Sequence, residues 1–523
     1  MKSASTDIPR MGGRSLRRLA IWAWATALCL TAPVALAAEG KYGGTLTVGT
    51  EVDPASLDPL RISTVVYKQY AMAVFDTLLD SDAAGRIVPG LAESYTVTTD
   101  GLLYTLKLRE GVRFHDGTPL DAAAVVFNLD RVRDPQNLCR CLVNVSLIEK
   151  VQATDPRTVQ IRLRAPMASF PAVLADAPGM MASPKAVQAA GAEFGQKPVG
   201  TGPFRFVEWI QGSRFIAERN RNYWKPDRPF LDKVVFKGLQ NRETREATLR
   251  SGGFDIIMSP PPRFVAEMRD NKKFSVMTSN GFGAFFIVLR MTHPQLKDPR
   301  VRLALAHATN RPQFLKVAYY NQPELATTPF GKGLHLRPDE VADYPKFDPA
   351  RAKALLTEYG QPVKLVLTTS NDPITLRGSQ IMQQMWRAVG VQVDIQVVDS
   401  ARLIKALGGH EFDAAVSRGV PSADPDLMIY PYVLSRLAER TPSTNLGQYA
   451  NPKMDELLEA GRRELNPLER RKIYSRITDL LAKDLPFIFL GYTTSSLIFN
   501  PSVVKGMKPM PDGLIRVGEV WKE

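Results

Sequence analysis

A run of alternating strands and helices between residues 363 and 416 constrains this chain more than any other feature. It reads as strand Val363 to Thr368, helix Leu376 to Val389, strand Val391 to Val398, helix Ala401 to Leu407 and strand Phe412 to Val416. Such alternation predicts an α/β architecture with a parallel sheet covered on both faces, and places any ligand at the C-terminal ends of the strands. Those ends are Thr369 to Pro373, Asp399-Ser400 and Ser417 to Asp426. On either side, Asp298-Pro299, Asp348-Pro349, Asn451-Pro452 and Asn466-Pro467 each set a capping side chain before a proline whose fixed φ suits the first helical position. Four helix starts are expected there. The last helix carries Ile473, Ile477, Leu480 and Leu481 as one apolar stripe.

From Thr45 to about Phe286 the pattern is different. Short alternating runs such as Tyr104 to Leu108, Val159 to Leu163 and Phe215 to Ala217 are broken by turns, including Asp100-Gly101 and Asp116-Gly117. This half reads as β-rich with few helices, the clearest being Leu120 to Val132. The loops Val52 to Asp58 and Met258 to Pro262 follow strands and are expected to face a cleft. A chain of 523 residues exceeds what one hydrophobic core spans, and no low-complexity linker separates the halves. Two lobes with the chain crossing between them are expected.

The N-terminus reads as an export leader. Arg10, Arg14, Arg17 and Arg18 precede an apolar run, Leu19 to Leu36, which ends in the small-x-small pattern Ala35-Leu36-Ala37. Cleavage is expected after Ala37. Leu28 stands before Cys29 where lipidation wants a small residue, so free periplasmic release is expected rather than a lipid anchor. Net charge is +14, falling to +10 once the five basic residues and one acid of 1–37 are gone. The basic residues are scattered instead of grouped with aromatics, which argues against nucleic acid. The five histidines are isolated from one another, so no protein metal cage is expected. Cys139 and Cys141 form a C-x-C pair, and a disulfide and two free thiols are both open. Nucleotide, dinucleotide and serine-hydrolase signatures are absent, and no acid pair has a recognisable catalytic spacing.

Several longer motifs follow one another in order. They are Gly43-Gly44-Thr45-Leu46 leading to Ser56-Leu57-Asp58-Pro59, Val88 to Ser94, Leu108 to Pro119, Pro198 to Phe204, and Asn222-Tyr223-Trp224 followed by Phe230-Leu231-Asp232. On these motifs the chain resembles the extracytoplasmic solute-binding proteins of the dipeptide/oligopeptide/nickel class, family 5, which deliver ligands to ABC importers. The resemblance implies a two-lobed periplasmic-binding-protein fold, the Venus flytrap, with an additional β-rich subdomain in the first lobe. It implies a first lobe of residues 38–282 plus 491–523, with the subdomain at about 62–200, and a second lobe of 283–490, hinged near Phe282 and Phe489. It further implies a periplasmic monomer that is not an enzyme and has no cofactor. Its partners would be a peptide or peptide-like small molecule and the permease subunits of an ABC transporter. A binder of an amino-acid conjugate, opine or metal chelate is the alternative within the fold, and a secreted hydrolase the alternative outside it.

The resemblance breaks at the ligand anchors. The aspartate that holds a peptide's amino terminus lies four residues before the proline of an Asp-Pro pair; here that pair is Asp424-Pro425 and Pro421 takes its place. Arg418 replaces the usual tryptophan, and Thr369 stands where dipeptide binders carry an arginine. Simple dipeptides are therefore expected to bind poorly. Arg418 is either a clamp for an anionic ligand group or the ion-pair partner of Asp424 or Asp426. Asn371 and Asp372 are either ligand contacts or turn and capping residues. Phe285 is either cleft wall or core. Asp424, Thr369 and Ser56 complete the expected ligand-binding set.

Overall fold

The computed structural model describes residues 40–62, 64–139, 141–419 and 421–523. The expected leader lies outside the described residues. Ten strands, numbered here along the chain, form the large sheet: β1 Thr45–Thr50, β2 Phe204–Ile210, β3 Arg214–Arg219, β4 Lys233–Gly238, β5 Ile256–Met258, β6 Ser275–Leu289, β7 Lys364–Ser370, β8 Gln392–Val398, β9 Ala414–Arg418 and β10 Phe487–Phe499. Their order is β8-β7-β9-β6-β10-β5-β1-β4-β3-β2. Strand β7 runs parallel to both β8 and β9, and β1 runs parallel to both β4 and β5. The sheet thus contains two parallel sets, one at each side of the antiparallel pair β6 and β10.

The pairing of these two long strands breaks between Asn280 and Ala284, and a second register shift follows between Phe285 and Phe286. Ser275 to Asn280 pair with Phe499 to Thr494, and after the break Ala284 to Val288 pair with Tyr492 to Phe487. Facing the break, Thr493 bonds both backbone groups of Gly283 through its hydroxyl. The backbone at Gly331 presses on the same place: its N–H donates to Phe282 O at 2.6 Å, and a Cβ there would sit 2.2 Å from Gly281 O. Only a residue without a side chain fits that approach. Phe282, near which the hinge is expected, lies in the unpaired stretch between Asn280 and Ala284, and Phe489 pairs with Phe286 at the second register shift.

The apolar cores follow the same division. One core is drawn wholly from Phe282 to Tyr492, whereas the others use residues 46–274 together with 497–520. Within the first half, Ala92–Val97, Leu103–Leu108, Thr158–Leu163 and Ile148–Asp155 pair in that order as a separate antiparallel sheet. The Asp100-Gly101 turn joins its first two strands, with Gly101 at φ 70°. Helix Ala122–Arg133 lies near the expected position, with Asp121 accepting from Ala124 N at its start. The first half is less helix-poor than its sequence suggests. Val65–Val74, Arg242–Arg250 and Pro262–Met268 are also helices. The first of these is rich in β-branched and aromatic residues whose local preference is overridden by packing of Tyr70, Ala73 and Val74 into the core. Cys139 and Cys141 are joined by a disulfide.

All four proline-started helices form where their caps predict, as Pro299–Ala308, Pro349–Tyr359, Pro452–Arg463 and Pro467–Asp484. Among the described residues no helix is long and apolar enough to cross a membrane.

Candidate ligand-binding site

The C-terminal ends of the two parallel sets approach each other. After β4, Asn241 caps helix Arg242–Arg250, and after β7, Asp372 caps helix Pro373–Arg387. Arg242 forms an ion pair with Asp372, tying the two helix starts together. After β5, the carbonyl of Pro262 accepts from Gln322 Nε2. Both contacts join one half of the sheet to the other, so the space they bracket is the cleft at the strand ends.

Arg418 ends β9 on this side, opposite Phe285 of β6, and its side chain is exposed. Phe285 is 7% exposed and stacks on Tyr319 with ring centroids 4.7 Å apart. Burial pushes the Tyr319 hydroxyl up to about 12, with the positive charge of Arg418 pulling the other way. A cation, an aromatic pair and a phenol hydroxyl are therefore brought together. Beside them a small apolar hollow is lined by Phe286, Gly419, Met428 and Tyr432.

The two carboxylates considered as partners for Arg418 are occupied elsewhere. Arg470 holds Asp424 through both guanidinium ends, at 2.7 and 2.9 Å. Arg462 holds Asp426 at 3.0 Å, and Ser169 Oγ donates to the same carboxylate at 2.6 Å. The ring of Tyr430 lies 3.4 Å below the Arg462 guanidinium. Burial pushes the Asp426 carboxyl up against the pull of Arg462, while the Arg470 guanidinium is held above its ordinary value because Asp424 outweighs its burial. Ser169 comes from the inserted β-rich region, and Ala168 N also donates to Arg462 O at 2.8 Å. This buried quartet is an internal joint. Among the described residues, Arg418 is left with no ion pair.

The remaining expected residues separate. Asp372 is half-buried and accepts from Ile374 N and Thr375 N, so it caps its helix as well as meeting Arg242. Burial opposes its ionisation, but these donors and Arg242 outweigh it and hold the carboxyl below the usual carboxylate range. Asn371 is exposed beside it. Thr369 is fully buried, its hydroxyl accepting from Ser379 Oγ at 2.9 Å, because β7 continues to Ser370 and Thr369 points under the following helix. Asp424 is likewise buried, capping helix Pro425–Val433. Ser56 Oγ accepts from Asp58 N at 3.2 Å and rests against Gly195. Arg242, Tyr319 and Gln322 were not picked out from the sequence. Only Arg242 carried a local signal, the cap Asn241 just before it.

Losing the Asp372 cap should have a measurable effect. Asp372→Ala removes contacts from three donors, Ile374 N, Thr375 N and Thr375 Oγ1, and a partly exposed ion pair, so a loss of about 1–2 kcal/mol in urea unfolding is expected, with Asp372→Asn recovering most of it.

Facing strand ends on the two sides of one sheet, with a separate β-rich sheet in the first half, define the two-lobed Venus-flytrap fold of periplasmic binding proteins carrying an added β-rich subdomain in the first lobe. Residues 86–438 match the family described as bacterial extracellular solute-binding proteins, family 5 (Middle), and the chain belongs to that family. It is 31% identical over 516 residues to a glutathione-binding protein, GsiB, of Pectobacterium atrosepticum, covering 95% of this chain and 97% of that one. Among solved structures it is similar to DppA of Helicobacter pylori in complex with the peptide STSA, with TM-score 0.81 and 27% identity over 92% of this chain and 99% of that one. It is also similar to NikZ of Campylobacter jejuni in complex with Ni(L-His), with TM-score 0.78 and 25% identity over 91% and 99%. These relatives are binding proteins.

Proposed function

We propose that this protein is a periplasmic receptor that encloses a peptide-like small molecule bearing an anionic group and presents it to the permease of an ABC importer, without chemical change. The observation that carries this reading is Arg418, exposed at the end of β9 beside Tyr319 and Phe285 and without an ion pair among the described residues. A guanidinium so placed offers a flat pair of donors to a carboxylate. Glutathione, a tripeptide with two carboxylates, suits this chemistry and is named for a relative that aligns with almost the whole chain. The lobes of this reading are residues 38–282 with 491–523, and residues 283–490, hinged near Phe282 and Phe489. Calorimetry with glutathione and with unmodified dipeptides tests the reading. Saturable glutathione binding with weak dipeptide binding is expected; tight dipeptide binding with none to glutathione would overturn it.

Closure supplies a further prediction. A ligand touching both lobes favours the closed state by its differential contacts. Small-angle scattering should give a smaller radius of gyration with glutathione than without. At 100 times its Kd the ligand should stabilise the fold by about 2.7 kcal/mol, read as a rise in Tm. An unchanged radius with a raised Tm would place the ligand in one lobe and defeat the closure mechanism.

A further inference from the structure

A cavity of about 510 Å³ lies in the first half of the molecule and shares no residue with the cleft contacts described above. It opens between the end of helix Val65–Val74, the hairpin formed by Leu79–Ser81 and Ile87–Pro89, the Tyr223-Trp224-Lys225 turn, and the tail from Gly506 to Val520. This is the size of a small-molecule site. Its walls are largely apolar, with Met72, Phe75, Met507 and Met510 among them.

Most charged groups on its surface are already paired. Arg86 holds Asp82 at 2.6 Å, Arg516 holds Asp512 at 2.9 Å with Asp80 at 3.6 Å, and Arg228 holds Glu519 at 2.9 Å. Asp76 differs. Its carboxylate accepts only from neutral donors, Tyr223 Oη at 2.9 Å and Trp224 Nε1 at 2.7 Å, and among the described residues it has no ion pair. The nearby cations lie over the indole without bonding the carboxylate: the Lys225 ammonium sits 5.2 Å from the Trp224 ring, its charge also acting on Asp76, and the Arg109 guanidinium 4.9 Å from it, while Arg109 donates to Gly90 O. A carboxylate has about four acceptor positions, of which two are used. Burial raises the Asp76 carboxyl to about 6, so at neutral pH the group is an anion in a largely apolar cavity without a bonded cation.

We propose that this cavity is a second binding site, separate from the cleft, for a small organic amine with an apolar body, whose ammonium is held by Asp76. An ammonium donates to the two unused acceptor positions, which neither Lys225 nor Lys508 on the cavity wall fills. The methionines, flexible and polarisable, can settle around an apolar body of varied shape. An uncharged molecule of the same shape gains only the second of these contributions.

The test uses the full-length mature chain with 2-phenylethylamine as probe and 2-phenylethanol as its neutral counterpart, followed by methyl NMR of labelled methionines. Saturable shifts of Met72, Met507 and Met510 by the amine are expected, with Met428 at the cleft unmoved and the alcohol at least tenfold weaker. Asp76→Asn should weaken the amine at least tenfold and leave the alcohol unchanged. Should that variant not fold, Met507→Trp, which fills the cavity from its partly exposed side, should abolish the same shifts. Equal binding of the two probes, shifts confined to Met428, no saturable binding, or amine binding indifferent to both variants would overturn the proposal.

Discussion

Replacing Arg470 with methionine is expected to lower the unfolding free energy by about 3–5 kcal/mol, the usual effect of breaking a buried ion pair from one side. Arg470 and Asp424 have side chains only 3% and 7% exposed, so the stranded carboxylate has no water to turn to. A second carboxylate, Asp426, lies close enough to feel it and has Arg462 as its cation. The deficit should shrink on acidification, because burial already holds the neighbouring Asp426 carboxyl above its ordinary value. A buried carboxyl with a raised pKa takes up its proton more readily in the folded state, so folding gains stability on acidification. The pair Asp424→Leu with Arg470→Met should recover part of the loss, the remainder being the helix cap that Asp424 provides to Asp426 N at 2.9 Å. Thermal and urea unfolding measure this. A loss below about 1 kcal/mol for Arg470→Met would mean that the buried Arg470–Asp424 pair does not stabilise this joint.

Arg418→Ala is expected to weaken glutathione binding by about 2 kcal/mol or more, on the order of 30-fold, since truncating one side of a charge pair leaves the ligand carboxylate unpaired. Arg418→Lys should fall between, because a point charge replaces a two-pronged donor. Folding should be untouched by both changes, as the side chain is exposed and ends its strand. Calorimetry on the three proteins decides the matter: equal affinities would remove Arg418 from the site.

The parts of this fold that the sequence revealed are those whose causes are local. Asp298, Asp348, Asn451 and Asn466 each bond an N–H of the turn they begin, and proline follows each one, so the signal and the structure lie within four residues. The parallel trio β7, β8 and β9 was legible for the same reason, through apolar runs and intervening helices. What escaped depends on distant partners. Asp424 meets Arg470 across 46 positions and Arg242 meets Asp372 across 130, and no spacing rule says which of many charges will pair. The sequence places Thr369 just past a strand end, but β7 runs on to Ser370 and Thr369 lies buried. The break opposite Thr493 is set by the close approach of Gly281, Gly283 and Gly331, a long-range packing event that no local signal announces.

The side chain of Gln69, fully buried, exchanges two hydrogen bonds with the backbone of Ile515, 446 residues away, at 3.0 and 2.6 Å. The core drawn from Phe282 to Tyr492 needs nothing outside its own stretch of chain. Its neighbour cannot finish until the tail arrives, because Leu497, Phe499, Ile515 and Val520 belong to it. Closing so long a loop comes late in folding, since its entropy must be spent before the distant contacts form. For a chain that emerges from its N-terminus, the order of assembly is then reversed relative to the order of synthesis: the middle of the sequence can settle first, and the beginning waits, partly open, for the end.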